Sequence, residues 1–226
     1  MTEKKITAIV AQKHNPGRLN IDLDGDFAFG ISRITAAWLK IGDSLSEEKV
    51  DSLRRSDLEE VAFQKAIKFV DYRARTEKEI RQRLNQKGIG PEEIETVIQR
   101  LRENGLIEDQ KYAKMWIENR NEFHPRSQRL IRYELRNKGI TEEMIDHALE
   151  GSAKDIDQAE AAAIRFARKL TNLEWLEFRK KLSAFLARRG FSYGTIAPVV
   201  KSVWNSEGPA LSQNLENKEN ENGKSK

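Results

Sequence analysis

Two textures of hydrophobic patterning divide the 226-residue chain. Over the first 45 residues the apolar positions come in short, partly alternating runs. Ile6–Ala11 and Arg18–Leu23 read as strands, with His14-Asn15-Pro16-Gly17 as the turn between them. In DLDGDFAFGI, Asp24-Gly25 is flanked by apolar Leu23, Phe27 and Phe29, a hairpin signal. Ile34–Ile41 predicts a short helix ended by Gly42-Asp43. A β-rich module this small has too little core to stand alone and is expected to pack on the adjoining helical segment. From about Glu47 to Asn205 the period becomes helical. Pro91 and Pro125 sit where helices are expected to start, and Pro198 is the remaining interruption. The last stretch, 206–226, is rich in Asn, Glu, Lys and Ser and is expected to be a disordered tail.

The helical region repeats itself. Gly88, Gly139 and Gly190 are spaced by 51 residues and follow Lys87, Lys138 and Arg189. The same register links Ile80, Ile131 and Leu182, and Leu84, Leu135 and Leu186. Beyond the glycines it links Ile89, Ile140 and Phe191, then Ile94, Ile145 and Ile196, then Ile98, Leu149 and Val200. Constant register at six positions marks a tandem structural repeat. Each apolar pair lies four apart on one helix face, and each glycine supplies a left-handed helix stop. The next helix opens on acids, Pro91-Glu92-Glu93 or Thr141-Glu142-Glu143, as the helix dipole favours. Upstream helices are expected at Val61–Ala74, Gln110–Arg120 and Ala159–Leu170. The fold class expected is therefore mainly α, with tandem three-helix repeats forming an elongated curved array behind a small β-rich N-terminal module. Its divisions are 1–46 for the module, 47–107 for a linker helix and repeat 1, 108–155 for repeat 2, 156–205 for repeat 3, and 206–226 for the tail.

Composition removes several chemistries. The chain has no cysteine, so disulfides, thiolate metal sites and cysteine nucleophiles are excluded. His14, His124 and His147 share no ligand spacing, and no phosphate-binding glycine loop or nucleophile elbow appears. Neither an enzyme, a metal nor a cofactor is expected. With no apolar run long enough for a membrane helix and no signal-peptide core, a cytoplasmic protein is expected. Trp116 and Trp204 read as core anchors at helix ends.

Charge is more informative. The net +4 is uneven: residues 162–204 carry nine basic against two acidic side chains, a local +7. Arg129, Arg132 and Arg136 fall within about 60° of one another on a helix whose opposite side carries Ile131 and Leu135. The 51-residue register makes Lys78, Arg129 and Lys180 equivalent, and likewise Lys87, Lys138 and Arg189. With Arg81, Arg179 and Arg188 these form a candidate basic face for a polyanion or an acidic protein surface. A merely solvated helix face is the alternative. Reversing Arg129, Arg132 and Arg136 together is expected to weaken partner binding without unfolding the chain.

The stretch EIRQRLNQKGIGPEEIETVIQRLRENGLIEDQKYAKMWIENR, continued by RLIRYELRNKGITEEMIDHALE, resembles the RecX family of bacterial regulatory proteins. The likeness rests on L-x-x-K-G-I in the first two units, on G-L-I-x-D-x-x-Y-A-x-x-W-I from Gly105 to Ile117, and on E-L-R-x-K-G-I from Glu134 to Ile140. It covers roughly Phe63 to Trp204. In the third unit Ser192-Tyr193-Gly194-Thr195 replaces the acidic helix start. The resemblance implies a non-enzymatic modulator of the RecA recombinase, binding the RecA–single-stranded-DNA filament and inhibiting its ATP hydrolysis, strand exchange or growth. The partners it implies are the RecA filament and, by direct contact, single- or double-stranded DNA, for a chain acting as a monomer. An autonomous DNA-binding helical repeat and a scaffold for some other partner are the competing readings.

Overall fold

A computed structural model describes residues 3–206, so most of the tail expected over 206–226 lies outside the described residues. The chain forms two compact units, one up to Glu108 and one from Asp109.

The first unit opens with an antiparallel sheet of β1 (Lys4–Gln12), β2 (Asn15–Leu23), β3 (Asp26–Ser32) and β4 (Ser44–Leu45) in the order β3-β2-β1-β4. Asp24 and Gly25 both take positive φ, 52° and 96°, the conformation of a type I′ hairpin turn. The first turn is tighter than the sequence suggests, because β2 already begins at Asn15. Pro16 and Gly17 are absorbed where the pairing jumps from Gln12↔Asn15 to Ala11↔Leu19. The helix expected over Ile34–Ile41 does not form. Ile34, Trp38 and Ile41 are all exposed, and only Ala36 and Leu39 of the segment pack on the sheet core. Side-chain turns take the backbone instead: Ser32 Oγ accepts from the Thr35 amide at 3.2 Å, and Asp43 accepts from the Lys40 amide at 2.8 Å.

One helix serves two cores. The 24-residue α1 (Glu47–Val70) starts at Ser46, whose hydroxyl accepts from the Lys49 amide. Near its start, Leu53 is buried with Ile6, Ile21, Phe29 and Ile31 of the sheet. Its second half buries Ala62, Phe63 and Ala66 against α2 (Glu77–Asn85) and α3 (Pro91–Glu103). The outer edge of β3 is covered in the same way. Arg54 donates to the Ala28 carbonyl (3.3 Å), Arg18 to the Gly30 carbonyl (2.9 Å), and Asp57 accepts from the Ser32 amide (2.6 Å). Two outward carbonyls and one amide of that edge are thereby occupied.

The second unit holds two further triplets. One comprises α4 (Asp109–Phe123), α5 (Gln128–Asn137) and α6 (Glu142–Leu149). The other comprises α7 (Asp155–Ala167), α8 (Trp175–Arg188) and a helix over 193–206, here α9. That makes nine helices among the described residues. Each triplet has its own apolar cluster, and the positions linked by the 51-residue register are its centre: Ile80, Ile131 and Leu182, like Leu84, Leu135 and Leu186, are at most 1% exposed. Gly88, Gly139 and Gly190 take φ of 72°, 89° and 87°, the left-handed stop expected of them. Pro91 is the first residue of α3. Pro125 lies buried in the loop before Ser127, the N-cap of α5.

Candidate partner-binding surface

The middle helices α2, α5 and α8 carry the candidate cations, and the third helices determine what becomes of them. In repeat 1, Arg81 makes a two-pronged contact with Glu95 of α3 (2.8 and 3.0 Å) and a third bond to Glu77 (3.0 Å). Glu77 is shared with Arg102, which donates through Nη2 at 2.6 Å and through Nε. Burial pushes the Glu77 carboxyl upward, but its bonds to Arg102 and Arg81 outweigh this and hold it below the usual carboxylate range. The bond from Arg81 also lowers Glu95. Lys78 stands exposed on the second residue of α2, and Lys87 is exposed just beyond its end.

Repeat 2 follows the same plan. Arg132 reaches Asp146 (2.5 Å) and Glu142 (3.5 Å) on α6, and Arg136 reaches Glu142 (3.2 Å). The stripe of Arg129, Arg132 and Arg136 is therefore largely neutralised by the acids that open and line the following helix. Arg129 instead donates to the Gly190 carbonyl at 3.3 Å. Lys138 caps α5 through its backbone, with its ammonium 5.6 Å from the Trp116 ring.

Repeat 3 departs from the plan. The pair Arg81/Glu95 becomes Arg132/Asp146 one register on, and then Ser183/Ala197. Cation and acid are both lost, while Tyr193 and Thr195 stand where repeat 2 has Glu142 and Met144. The start of α9 is still capped, because Ser192 Oγ accepts from the Thr195 amide at 3.3 Å. Arg179, Lys180 and Arg188 are exposed on α8 and form no ion pair among the described residues, whereas Lys181 is paired to Glu177 at 2.8 Å.

Arg189 has a different task. Its guanidinium donates to the Pro125 carbonyl (2.9 Å) and lies 4.4 Å from the Phe185 ring, and its own carbonyl accepts from the Ser127 amide (3.0 Å). Burial draws its pKa down. It joins repeat 3 to repeat 2 rather than standing open to a partner. Apart from Lys78, exposed at the start of α2, and Lys138, beside the Trp116 ring, the candidate face resolves into three groups. Arg81, Arg132 and Arg136 are paired, Arg129 and Arg189 hold repeats 2 and 3 together, and Lys87, Arg179, Lys180 and Arg188 stand open. The spacing of 14 residues from cation to acid, present at Arg81/Glu95 and Arg132/Asp146 and lost at Ser183/Ala197, is the sequence signal that marks Arg81 and Arg132 as paired; Arg136, whose partner Glu142 lies six residues on, has no such signal.

The motif from Gly105 to Ile117 is architectural. Ile107 is buried in the first repeat's core; Tyr112, Ala113 and Ile117 are buried in the second's. Trp116 is half-buried against that core and donates to Glu134 at 2.8 Å. Glu134 also accepts from Arg120 at 2.9 Å and from Arg126, so one carboxylate gathers three donors. Trp204 packs on Phe178, with ring centroids 5.0 Å apart. Among the described residues no group of three or more His, Asp or Glu is placed to hold a metal ion, and no helix is long and apolar enough to cross a membrane.

Comparison with known proteins agrees with this architecture segment by segment. Family models described as the first, second and third three-helix domains of RecX match residues 62–101, 109–149 and 153–200, and the N-terminal domain of regulatory protein RecX matches 4–46. The chain belongs to the RecX family. Regulatory protein RecX of Clostridium botulinum (strain Alaska E43 / Type E3) is 33% identical over 210 residues, covering 90% of this chain and 98% of that protein. Its counterpart in Clostridium acetobutylicum is 31% identical over 212 residues, covering 90% and 98%. A crystal structure of regulatory protein RecX superimposes with a TM-score of 0.70 at 28% identity, covering 88% of this chain and 99% of that one. The RecX match extends past the helical repeats onto the N-terminal sheet, beyond the Phe63–Trp204 stretch that carries the resemblance in sequence.

Proposed function

We propose that this chain regulates the RecA recombinase, mainly as an inhibitor. It binds the RecA–single-stranded-DNA filament through the exposed cations of its third repeat and so restrains ATP hydrolysis, strand exchange and filament growth. One observation carries the choice of surface: the acid–base pairing that neutralises the middle helices of repeats 1 and 2 is missing from repeat 3. Unpaired cations keep their full attraction for phosphate or for an acidic protein face, while paired ones have spent most of theirs locally. A chain without cysteine and without a phosphate-binding or nucleophile-elbow motif is in keeping with a modulator that acts by binding.

The same open cations favour a second reading, direct binding to DNA. The deciding experiment titrates RecA's DNA-dependent ATP hydrolysis with this protein at two salt concentrations, alongside binding to bare single-stranded DNA. Inhibition at sub-stoichiometric ratios with weak bare-DNA binding supports filament regulation. Inhibition only when the protein saturates the DNA assigns simple competition for the strand. The variant Arg179→Glu/Lys180→Glu/Arg188→Glu should lose inhibition while staying folded, and Arg132→Glu/Arg136→Glu should lose less. The reverse order would remove repeat 3 from the contact.

A further inference from the structure

The first unit contains a second basic feature, remote in sequence from the open cations of repeat 3. Between the end of β3 and the middle of α1 lies a cleft of about 470 Å³. Its acids are already committed. Asp57 accepts from Arg18 (2.7 Å) and from the Ser32 amide (2.6 Å); Glu60 accepts from Arg100 (2.6 Å) and Gln64 (2.9 Å). Around them stand Arg33, from the turn after β3, and Lys65 and Lys68, from α1. All three side chains form no ion pair among the described residues. Lys65 and Lys68 lie one helical turn apart, about 5–6 Å between their Cβ atoms. The cleft therefore presents three uncompensated positive charges on two different elements, over a floor whose own charges cancel.

Three observations select the ligand. A peptide strand adding to β3 would have to displace Arg54 and Arg18 from the Ala28 and Gly30 carbonyls and Asp57 from the Ser32 amide. No aromatic ring lines the cleft, so it offers no platform for stacking bases. Its apolar wall, Ile34 and Val61, is short, and its volume is far too small for a duplex. What fits is a flexible chain that carries its charge on the outside at short, regular intervals. We propose that this cleft binds the phosphodiester backbone of a single nucleic-acid strand, without regard to sequence, through Arg33, Lys65 and Lys68. The assignment adds a contact in the first unit and does not depend on RecA being the partner.

The test uses the full-length chain and the fluorescence anisotropy of a labelled oligothymidylate, measured across a salt series. Arg33→Glu/Lys65→Glu/Lys68→Glu should weaken binding by about tenfold or more at low salt. The slope of log affinity against log salt should become shallower by about 2, at roughly 0.7 per lost single-strand phosphate contact. The milder Lys65→Gln/Lys68→Gln should retain the fold and lose part of both. Unchanged affinity and slope in these variants overturns the proposal, as does a wild-type chain that fails to bind the oligonucleotide at low salt. Equal displacement by a polyglutamate of matched charge would assign the cleft to an acidic protein segment instead. If reversal of Arg179, Lys180 and Arg188 alone abolishes strand binding, the cleft assignment fails and the third-repeat reading stands. If the cleft variant loses strand binding while RecA ATPase is untouched by the wild-type protein, the filament reading fails and the cleft stands.

Discussion

Gly88 and Gly190 are equivalent in sequence, yet replacing them by alanine should have unequal costs. Each takes a left-handed φ, 72° and 87°, which costs an L-residue about 1–2 kcal/mol. At Gly88 an added Cβ meets nothing within 4 Å, so that cost stands alone. At Gly190 the same atom lies 2.6 Å from Ser127 Oγ and 2.8 Å from Leu130 Cβ. Both distances fall well inside the roughly 3.5–4.0 Å of an ordinary carbon contact. Ser127 cannot simply swing aside, because its buried hydroxyl caps α5 by accepting from the Leu130 amide at 3.2 Å. Overpacking of this kind adds about 1–3 kcal/mol, giving about 2–5 kcal/mol for Gly190→Ala against about 1–2 kcal/mol for Gly88→Ala. Since the chain forms two units, the suitable assay is native-state hydrogen exchange, read separately on peptides from α2–α3 and α8–α9. Ser127→Ala removes the nearer contact but also the cap of α5, so the double variant should lose less than the sum of the two single losses. If Gly190→Ala costs no more than Gly88→Ala, the close approach between repeats 2 and 3 is not as described.

Further outcomes depend on particular contacts. Glu134→Ala leaves the Trp116 indole and two arginines without their acceptor and should lower the stability of repeat 2 by about 1.5–3 kcal/mol, read from hydrogen exchange in α4 and α5. Asp57→Ala frees the Ser32 amide and unpairs Arg18, so stability should fall by about 1–3 kcal/mol; concentration-dependent association through the β3 edge, followed by size-exclusion chromatography, should accompany it. Glu77, held below its usual pKa, contributes stability that is present above the unfolded-state value and is lost as pH falls through the lower folded-state value. Repeat 1 should therefore weaken on acidification, and Glu77→Gln should flatten that acid limb of the stability–pH curve. An unchanged limb in the variant would remove Glu77 as its source.

The repeat was legible because burial enforces it. Ile80, Leu84, Ile94 and Ile98 must recur together to fill each small core, and the glycine between them must turn the chain. Pairing across helices was less visible, since an acid in a first turn is sufficiently explained by the helix dipole. Only the three-dimensional arrangement shows that Glu142, at the start of its helix, also meets both Arg132 and Arg136. Spacing alone gives no hint that Arg189 bends back to Pro125 while Arg188 stays exposed, because adjacent positions on a helix end differ in direction but not in composition. The Ile34–Ile41 helix failed where three large apolar residues suggested a buried face and all three proved exposed. The segment from Glu47 to Val61 is expected as a linker helix, and in the structure Leu53 is its one fully buried apolar residue. Its freedom from glycine and proline is why the expected linker helix runs on without a break into the first helix of repeat 1.

That continuous α1, about 36 Å long at 1.5 Å per residue, alters where the molecule can be divided. A shortened chain beginning near residue 46 does not remove one module cleanly. It would instead strip the cover from Leu53 and leave Asp57 with neither Arg18 nor Ser32, on a helix whose other end is still needed by Phe63 and Ala66. The sheet and the first helical triplet are thus inherited together or rewritten together. The chain divides instead between Glu108 and Asp109, after Ile107 has filled the first repeat's core.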